Sequence, residues 1–199
     1  GRETSLERVI QRGCWTPVET FGASSGWDME PADAQGHFSV SWQGQTMGTV
    51  QWDLLGEHNR MNALAAIAAA RHAGVQVAEA IAALAEFKNV KRRMELRGVV
   101  REISVYDDFA HHPTAIATTV AGLRSKVGKA RILAVLEPRS NTMKLGVMKQ
   151  ALPDSLRDAD LVFCYGANLG WSAQEALQPI AHKSQVFDDL PAMVEAICQ

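Results

Sequence analysis

Ile103-Ser104-Val105-Tyr106-Asp107-Asp108-Phe109-Ala110-His111-His112-Pro113-Thr114 is the stretch that decides the fold. An apolar run at 103–106 leads into two carboxylates and two imidazoles, and a proline then opens the helix-forming segment 114–126. Proline suits a first helical turn, where its missing N–H would have no partner. The segment therefore reads as strand, polar loop, helix. Downstream the pattern recurs: apolar runs at 132–136, 161–164 and 186–187 follow at intervals of about 25–30 residues, each leading toward a helical stretch, at 145–156, 172–177 and 189–197. Strands alternating with helices at that spacing predict an α/β fold with βαβ units and a mostly parallel sheet. Right-handed crossovers then bring the loops 107–113, 137–142 and 166–171 to one edge of the sheet, where ligands of open α/β sheets bind.

Upstream the chain changes character. Four of the five tryptophans, Trp15, Trp27, Trp42 and Trp52, lie in residues 1–55 among frequent glycines. Phe38-Ser39-Val40-Ser41-Trp42 alternates apolar and polar residues, and Gln43-Gly44-Gln45 reads as a hairpin turn into 46–55. A small β meander is expected, its tryptophans used for packing. Met61, Leu64, Ala65, Ala68 and His72 share one helical face, Gly74 is placed to stop that helix, and 77–87 predicts a second. The basic cluster Lys88, Lys91, Arg92 and Arg93 marks a boundary, dividing the chain into domains at 1–89 and 90–199.

The 199 residues carry 20 Lys+Arg against 22 Asp+Glu, a balance that argues against a dedicated nucleic-acid partner. With 47% apolar and 21% charged residues the composition is that of a folded domain. No apolar run approaches the roughly 20 residues needed to cross a bilayer, and the first residues show no secretory pattern. Cys14, Cys164 and Cys198 are scattered, without a C-x-x-C pair. Neither disulfides, nor a zinc site, nor membrane insertion is expected, and a cytoplasmic setting is.

Three segments carry chemistry. In the first, Asp107 and Asp108 suit a ribose diol or a magnesium shell, and His111 and His112 suit anions at a helix start. The same four groups also resemble a hydrolytic metal site, and a plain helix cap is the third reading. In the second, Gly56-Glu57-His58-Asn59-Arg60-Met61-Asn62-Ala63, the amides of Asn59 and Asn62 can read an adenine edge, or Asn59 can cap the helix. The third, Glu137-Pro138-Arg139-Ser140-Asn141-Thr142-Met143-Lys144, offers donors for a carboxylate or phosphate, or is an ordinary polar turn. No P-loop is present. The nearest approach, from Gly122 to Ala130, spaces its glycines one residue too far apart and lacks the final hydroxyl.

In order along the chain, G-E-H-N-R-M-N-A-L-A-A, R-R-M-E-L-R-G, V-Y-D-D-F-A-H-H-P-T and L-E-P-R-S-N-T-M-K-L-G resemble the Mur ligases, ATP-dependent amide-bond ligases of bacterial cell-wall assembly. The last segment, with Gly13-Cys14-Trp15, is most similar to the branch that recycles peptidoglycan. The resemblance implies ATP and Mg2+ as cofactors, and UDP-N-acetylmuramate and L-Ala-γ-D-Glu-meso-diaminopimelate as substrates, joined through an acyl phosphate. It places His58, Asn59 and Asn62 at the adenine, and Arg93 and Asp108 at the nucleotide, chiefly its ribose. His111 would face the acyl acceptor as the catalytic group, with His112 beside it. Arg139, Ser140, Asn141 and Thr142 would recognise the incoming peptide. The resemblance also implies that 1–89 is the end of a central ATPase domain and 90–199 most of a Rossmann-like C-terminal domain. The P-loop and metal ligands would then lie outside this chain, leaving it inactive alone. A muramate–L-alanine ligase of the same family, a metal-dependent hydrolase and a non-catalytic binding module are the alternatives.

Overall fold

The computed structural model describes residues 4–33, 35–52, 54 and 56–199. They fall into two compact units, 1–88 and 89–199.

The first unit opens with helix α1 (Thr4–Gln11), followed by strands β1 (Trp27–Met29), β2 (Phe38–Trp42) and β3 (Gln45–Val50) and helices α2 (Glu57–His72) and α3 (Val77–Ala85). The three strands form the expected antiparallel meander in the order β1-β2-β3. Gln43 (φ 50°) and Gly44 (φ 81°) both take left-handed conformations between β2 and β3, matching the twist of a two-residue hairpin. Trp27, Phe38, Val40, Val50 and Trp52 pack against Ala63, Leu64, Ile67 and Ile81. Two of the four upstream tryptophans are therefore core, whereas Trp15 is 94% exposed. The buried face of α2 is rotated from the expected one: Ala63 and Ile67 replace Ala65 and His72, and His72 faces solvent. Helix α1, unforeseen in the sequence, carries Leu6, Val9 and Ile10 exposed.

The second unit comprises β4 (Glu95–Val100), β5 (Ile103–Asp107), α4 (Pro113–Val127), β6 (Leu133–Leu136), α5 (Asn141–Lys144), α6 (Leu152–Ser155), β7 (Leu161–Tyr165), α7 (Ala173–Ala176), β8 (Ser184–Phe187) and α8 (Leu190–Cys198). Strands β6, β7 and β8 form a parallel sheet in that order, with Leu136 opposite Cys164 and Tyr165 opposite Phe187. One expectation is corrected. The 103–106 run does not join the parallel ladder but pairs antiparallel with β4. The hairpin turns at Arg101 (φ 49°) and Glu102 (φ 66°), both left-handed without a glycine, so the usual turn signal is missing from the sequence. A second correction concerns 145–156, predicted as one helix. Gly146 takes φ 71°, and the segment continues as a 3₁₀ turn (Lys149–Ala151) and the short α6.

Helix α4 buries Ile116 and Val120 against Ile132, Met143, Leu152, Leu156, Val162, Cys164 and Leu177. Polar clamps fasten the connections. Arg124 donates to the Asp158, Gly128 and Ala130 carbonyls and pairs with Asp160, which also accepts from Ile132 N at 2.7 Å. Lys183 Nζ donates to the Leu156, Arg157 and Ala159 carbonyls in the turn that follows α6. Among the described residues, no helix is long and apolar enough to cross a membrane.

Candidate functional site

The β5–α4 loop is stitched to the turn that precedes β4. Asp108 bridges the two: Oδ2 accepts from Met94 N at 2.8 Å, while Oδ1 accepts from Ala110 N at 2.7 Å and from Thr119 Oγ1 at 3.3 Å. Phe109 N donates to the Arg92 carbonyl at 2.7 Å, so the two segments are joined on both sides of Arg93. Arg92 N donates to Glu95 Oε2 at 2.9 Å, which, with Arg97 adding to it, holds the Glu95 carboxyl below its ordinary range. Arg92 (φ 59°) and Met94 (φ 49°) are both left-handed, conformations that cost a side-chain-bearing residue free energy and persist only when their surroundings hold them. The bonds to Glu95, Asp108 and Phe109 supply that hold, leaving the Arg93 side chain exposed on the turn between them. The structure thus brings together Arg93 and Asp108, residues 15 apart in sequence. An ionised carboxylate has about four acceptor directions. Three are used by protein donors, leaving one on Oδ2.

The adjacent histidines take opposite roles. His111 Nδ1 lies 2.9 Å from the Phe109 carbonyl; a carbonyl only accepts, so Nδ1 carries a proton, and in the neutral ring Nε2 keeps the lone pair. The His111 ring meets Phe109 edge-on at 4.9 Å. His112 is the N-cap of α4 and accepts from Thr114 N at 3.3 Å through Nδ1, so in its neutral form Nε2 carries the hydrogen. His111 therefore presents an acceptor and His112 a donor. A helix cap, one of the three readings of this loop, is thus made by His112, while Asp108 is engaged by Met94 and Ala110. Asp107 faces Arg92, with Nε 3.4 Å from its carboxylate.

The four groups of the hydrolase reading are thus each turned to different partners. Among the described residues, no three His, Cys, Asp or Glu side chains stand together as a metal site.

At the end of β6, Ser140 caps α5, its Oγ accepting from Met143 N at 3.3 Å. Arg139 is exposed and 4.0 Å from Glu137, a pairing of little energetic weight at the surface. Asn141 and Thr142 are exposed on the same turn, whereas Met143 is 2% exposed beneath them. Trp171, at the end of the β7–α7 loop, donates from Nε1 to the Met143 carbonyl at 2.7 Å. Sequence reasoning noted that loop but gave Trp171 no role; the link between loops exists only in the folded unit.

In the first unit, His58 and Asn59 lie in the opening turn of α2 and Asn62 on the next. Gly56, the N-cap, contributes no side-chain bond, so Asn59 is not the cap. Arg60 Nε is buried without a hydrogen-bond partner among the described residues. Such a buried donor fits a ligand rich in acceptors, as a nucleotide is.

A family model for the "Mur ligase, glutamate ligase domain" matches residues 92–199, just over half of the chain. The chain belongs to the Mur ligase family. The UDP-N-acetylmuramate–L-alanyl-γ-D-glutamyl-meso-2,6-diaminoheptandioate ligase of Escherichia coli (strain K12) is 47% identical over 99% of this Mur ligase chain and 44% of its own length. The ligase of the same name from Haemophilus influenzae is 44% identical over 99% of the chain and 45% of its own length. A murein peptide ligase from Psychrobacter arcticus, solved by crystallography, superposes with a TM-score of 0.71 at 41% identity, covering 100% of this chain and 44% of the other. The Mur ligase chain described here therefore spans less than half the length of these relatives. The family match begins at Arg92, on the stitched turn, and takes in Arg93, Asp108, both histidines and the Arg139–Thr142 turn.

Proposed function

We propose that this chain is the part of an ATP-dependent amide-bond ligase that holds the base and ribose of the nucleotide and receives the incoming amine. The enzyme carrying it would join UDP-N-acetylmuramate to L-Ala-γ-D-Glu-meso-diaminopimelate in peptidoglycan recycling. The observation that carries the reading is the stitched loop: the turn that carries an exposed Arg93 is bonded on both sides to the loop of Asp108, which continues into a histidine whose Nδ1 is anchored on the Phe109 carbonyl. The named reaction of the relatives supplies the substrates.

The proposal divides the residues by task. His58, Asn59 and Asn62 present polar side chains from α2 to the adenine, with Arg60 Nε as a further donor. Arg93 reaches the nucleotide, and the remaining acceptor direction of Asp108 takes a ribose hydroxyl. Bound ATP, with magnesium neutralising its phosphates, supplies the phosphoryl group that activates the lactyl carboxylate. An amine attacks only as the free base, and the acceptor arrives as an ammonium at neutral pH. His111 Nε2 can remove that proton, with Nδ1–H anchored on the Phe109 carbonyl so that the lone pair stays aimed. Arg139, Ser140, Asn141 and Thr142 hold the peptide. Such a ligase works where ATP and nucleotide sugars are made, in the cytoplasm.

The test is phosphate release by the gene product that carries this chain. Release requiring ATP, UDP-N-acetylmuramate and the tripeptide together supports the reading, and His111→Ala should lower kcat by about a hundredfold, the ordinary contribution of a general base. Equal turnover with L-alanine in place of the tripeptide would assign the chain to the muramate–L-alanine branch. Phosphate release indifferent to the acceptor would overturn the ligase assignment.

A further inference from the structure

Of the three loops expected at one sheet edge, only those after β6 and β7 follow strands of the parallel sheet, and the proposed function uses the loops after β5 and β6. The third, between β7 and α7, makes the most specific inter-loop contact of the second unit. Trp171 Nε1 donates to the Met143 carbonyl at 2.7 Å, and that carbonyl also accepts from Gly146 N at 3.0 Å. The indole lies directly on Gly146. A Cβ there would come within 2.9 Å of Trp171 Cδ1 and 3.2 Å of Cγ, and Gly146 has φ 71°, where other residues are strained. The neighbouring Gly170 also approaches closely: a Cβ on it would sit 3.3 Å from the Lys144 carbonyl. Gly146 is thus required by, and Gly170 packs tightly in, one interlock between residues 140–146 and 166–171.

Met143 is the point of attachment. Its N–H bonds Ser140 Oγ, its side chain is buried in the core cluster, and its carbonyl is held by Trp171. The residues preceding it, Arg139, Asn141 and Thr142, face solvent. A turn pinned from behind by three contacts and exposing polar side chains in front is a preorganised recognition surface. Its geometry then depends on the pins, because α5 has only four residues and cannot hold a conformation alone.

We propose that Trp171 is a positioning residue for acceptor recognition, fixing the Arg139–Thr142 turn through the Met143 carbonyl and Gly146 so that the enzyme prefers the tripeptide to a free amino acid. This rests on the function proposed above. As a positioning residue Trp171 acts through Met143 and Gly146, so its removal should alter acceptor binding and leave the nucleotide and the chemical step alone.

The experiment uses the full gene product and compares the unsubstituted enzyme with Trp171→Phe, which keeps a ring on Gly146 but removes the donor, and with Gly146→Ala, which displaces the indole from the other side. Both variants should raise the tripeptide KM about tenfold and reduce the kcat/KM preference for tripeptide over L-alanine by a similar factor, the scale expected for one lost hydrogen bond and a loosened turn. KM for ATP and kcat should stay within about twofold. Faster amide exchange at Leu145 and Gly146 in Trp171→Phe should accompany the change. An unaltered tripeptide KM, or parallel shifts in kcat and in both KM values, would overturn the positioning role while leaving the ligase assignment intact. An unsubstituted enzyme without tripeptide-dependent turnover would overturn both.

Discussion

Replacing Asp108 tests the stitched loop most directly. Its carboxylate accepts from two backbone N–H groups at 2.8 and 2.7 Å and from Thr119 Oγ1 at 3.3 Å. A hydrogen bond to a charged group contributes roughly 1.5–3 kcal/mol net, and a half-buried site falls toward the lower end. Asp108→Asn keeps one oxygen for Ala110 and Thr119 but turns an NH2 against Met94 N–H, replacing an attraction by two opposed donors; the expected loss is about 2 kcal/mol. Asp108→Ala leaves both backbone donors unpaired, and about 3 kcal/mol should be lost. In a unit of this size 2 kcal/mol corresponds to a Tm lower by about 8 °C. Urea unfolding of the chain measures the loss, and amide exchange at Met94 and Ala110 locates it. An Asp108→Asn protein with an unchanged urea midpoint and unchanged exchange at both amides would refute the bridging role. ATP affinity in a cycle with Arg93→Ala then separates two routes: coupled effects place Asp108's influence in the Arg93 turn, and additive effects place it in a direct ribose contact.

Two further outcomes follow from ionisation. The Ile132 N–H, and after it Arg124, hold the Asp160 carboxyl below its ordinary range. A depressed carboxyl contributes stability above the ordinary carboxylate value of about 4, and that contribution disappears as pH falls through the folded-state value. Urea midpoints measured from pH 6 down to about pH 2.5 should therefore fall less steeply in Asp160→Asn than in the unsubstituted chain, and parallel curves would refute the assignment. Burial pushes the Cys164 thiol up to about 12, whereas Cys14 and Cys198 are exposed. A thiol-disulfide reagent at pH 8 should consequently titrate two thiols in the folded chain and the third only after unfolding, because the thiolate is the reactive form.

What the sequence made legible was whatever local chemistry dictates. Pro113 opens α4 as its fixed φ requires, Gln43-Gly44 forms the turn of the β2–β3 hairpin, and the apolar runs of β6, β7 and β8 make the parallel sheet. Strand β4 was illegible because Glu95-Leu96-Arg97-Gly98 breaks the alternation of apolar residues and Arg101-Glu102 carries no turn signature. The short helices after β6 were hidden by an apolar pattern that reads as one helix unless Gly146 is known to be left-handed. At the site, the residue types of the β5–α4 loop were evident, and their roles were not. That Asp108 bridges, that His112 caps, and that the two imidazoles hold opposite tautomers depend on backbone groups at Met94, Ala110, Thr114 and Phe109, whose positions no spacing rule supplies. Residues brought together from distant segments, as Trp171 and Met143 are, leave no periodic trace at all.

If the Arg139–Thr142 turn receives the acceptor as proposed, the interlock of Trp171 with Gly146 also governs how that preference can be re-engineered. Segments 137–146 and 166–171 would then be exchanged as a single part, because they are joined at Met143, Gly146 and Gly170. A graft of the first segment alone from a relative with another acceptor would leave the indole facing a foreign backbone, without its carbonyl and without the glycine that admits it. A graft of both would carry its own support. Variation of specificity on this scaffold is therefore expected to move the two loops together, as a matched pair.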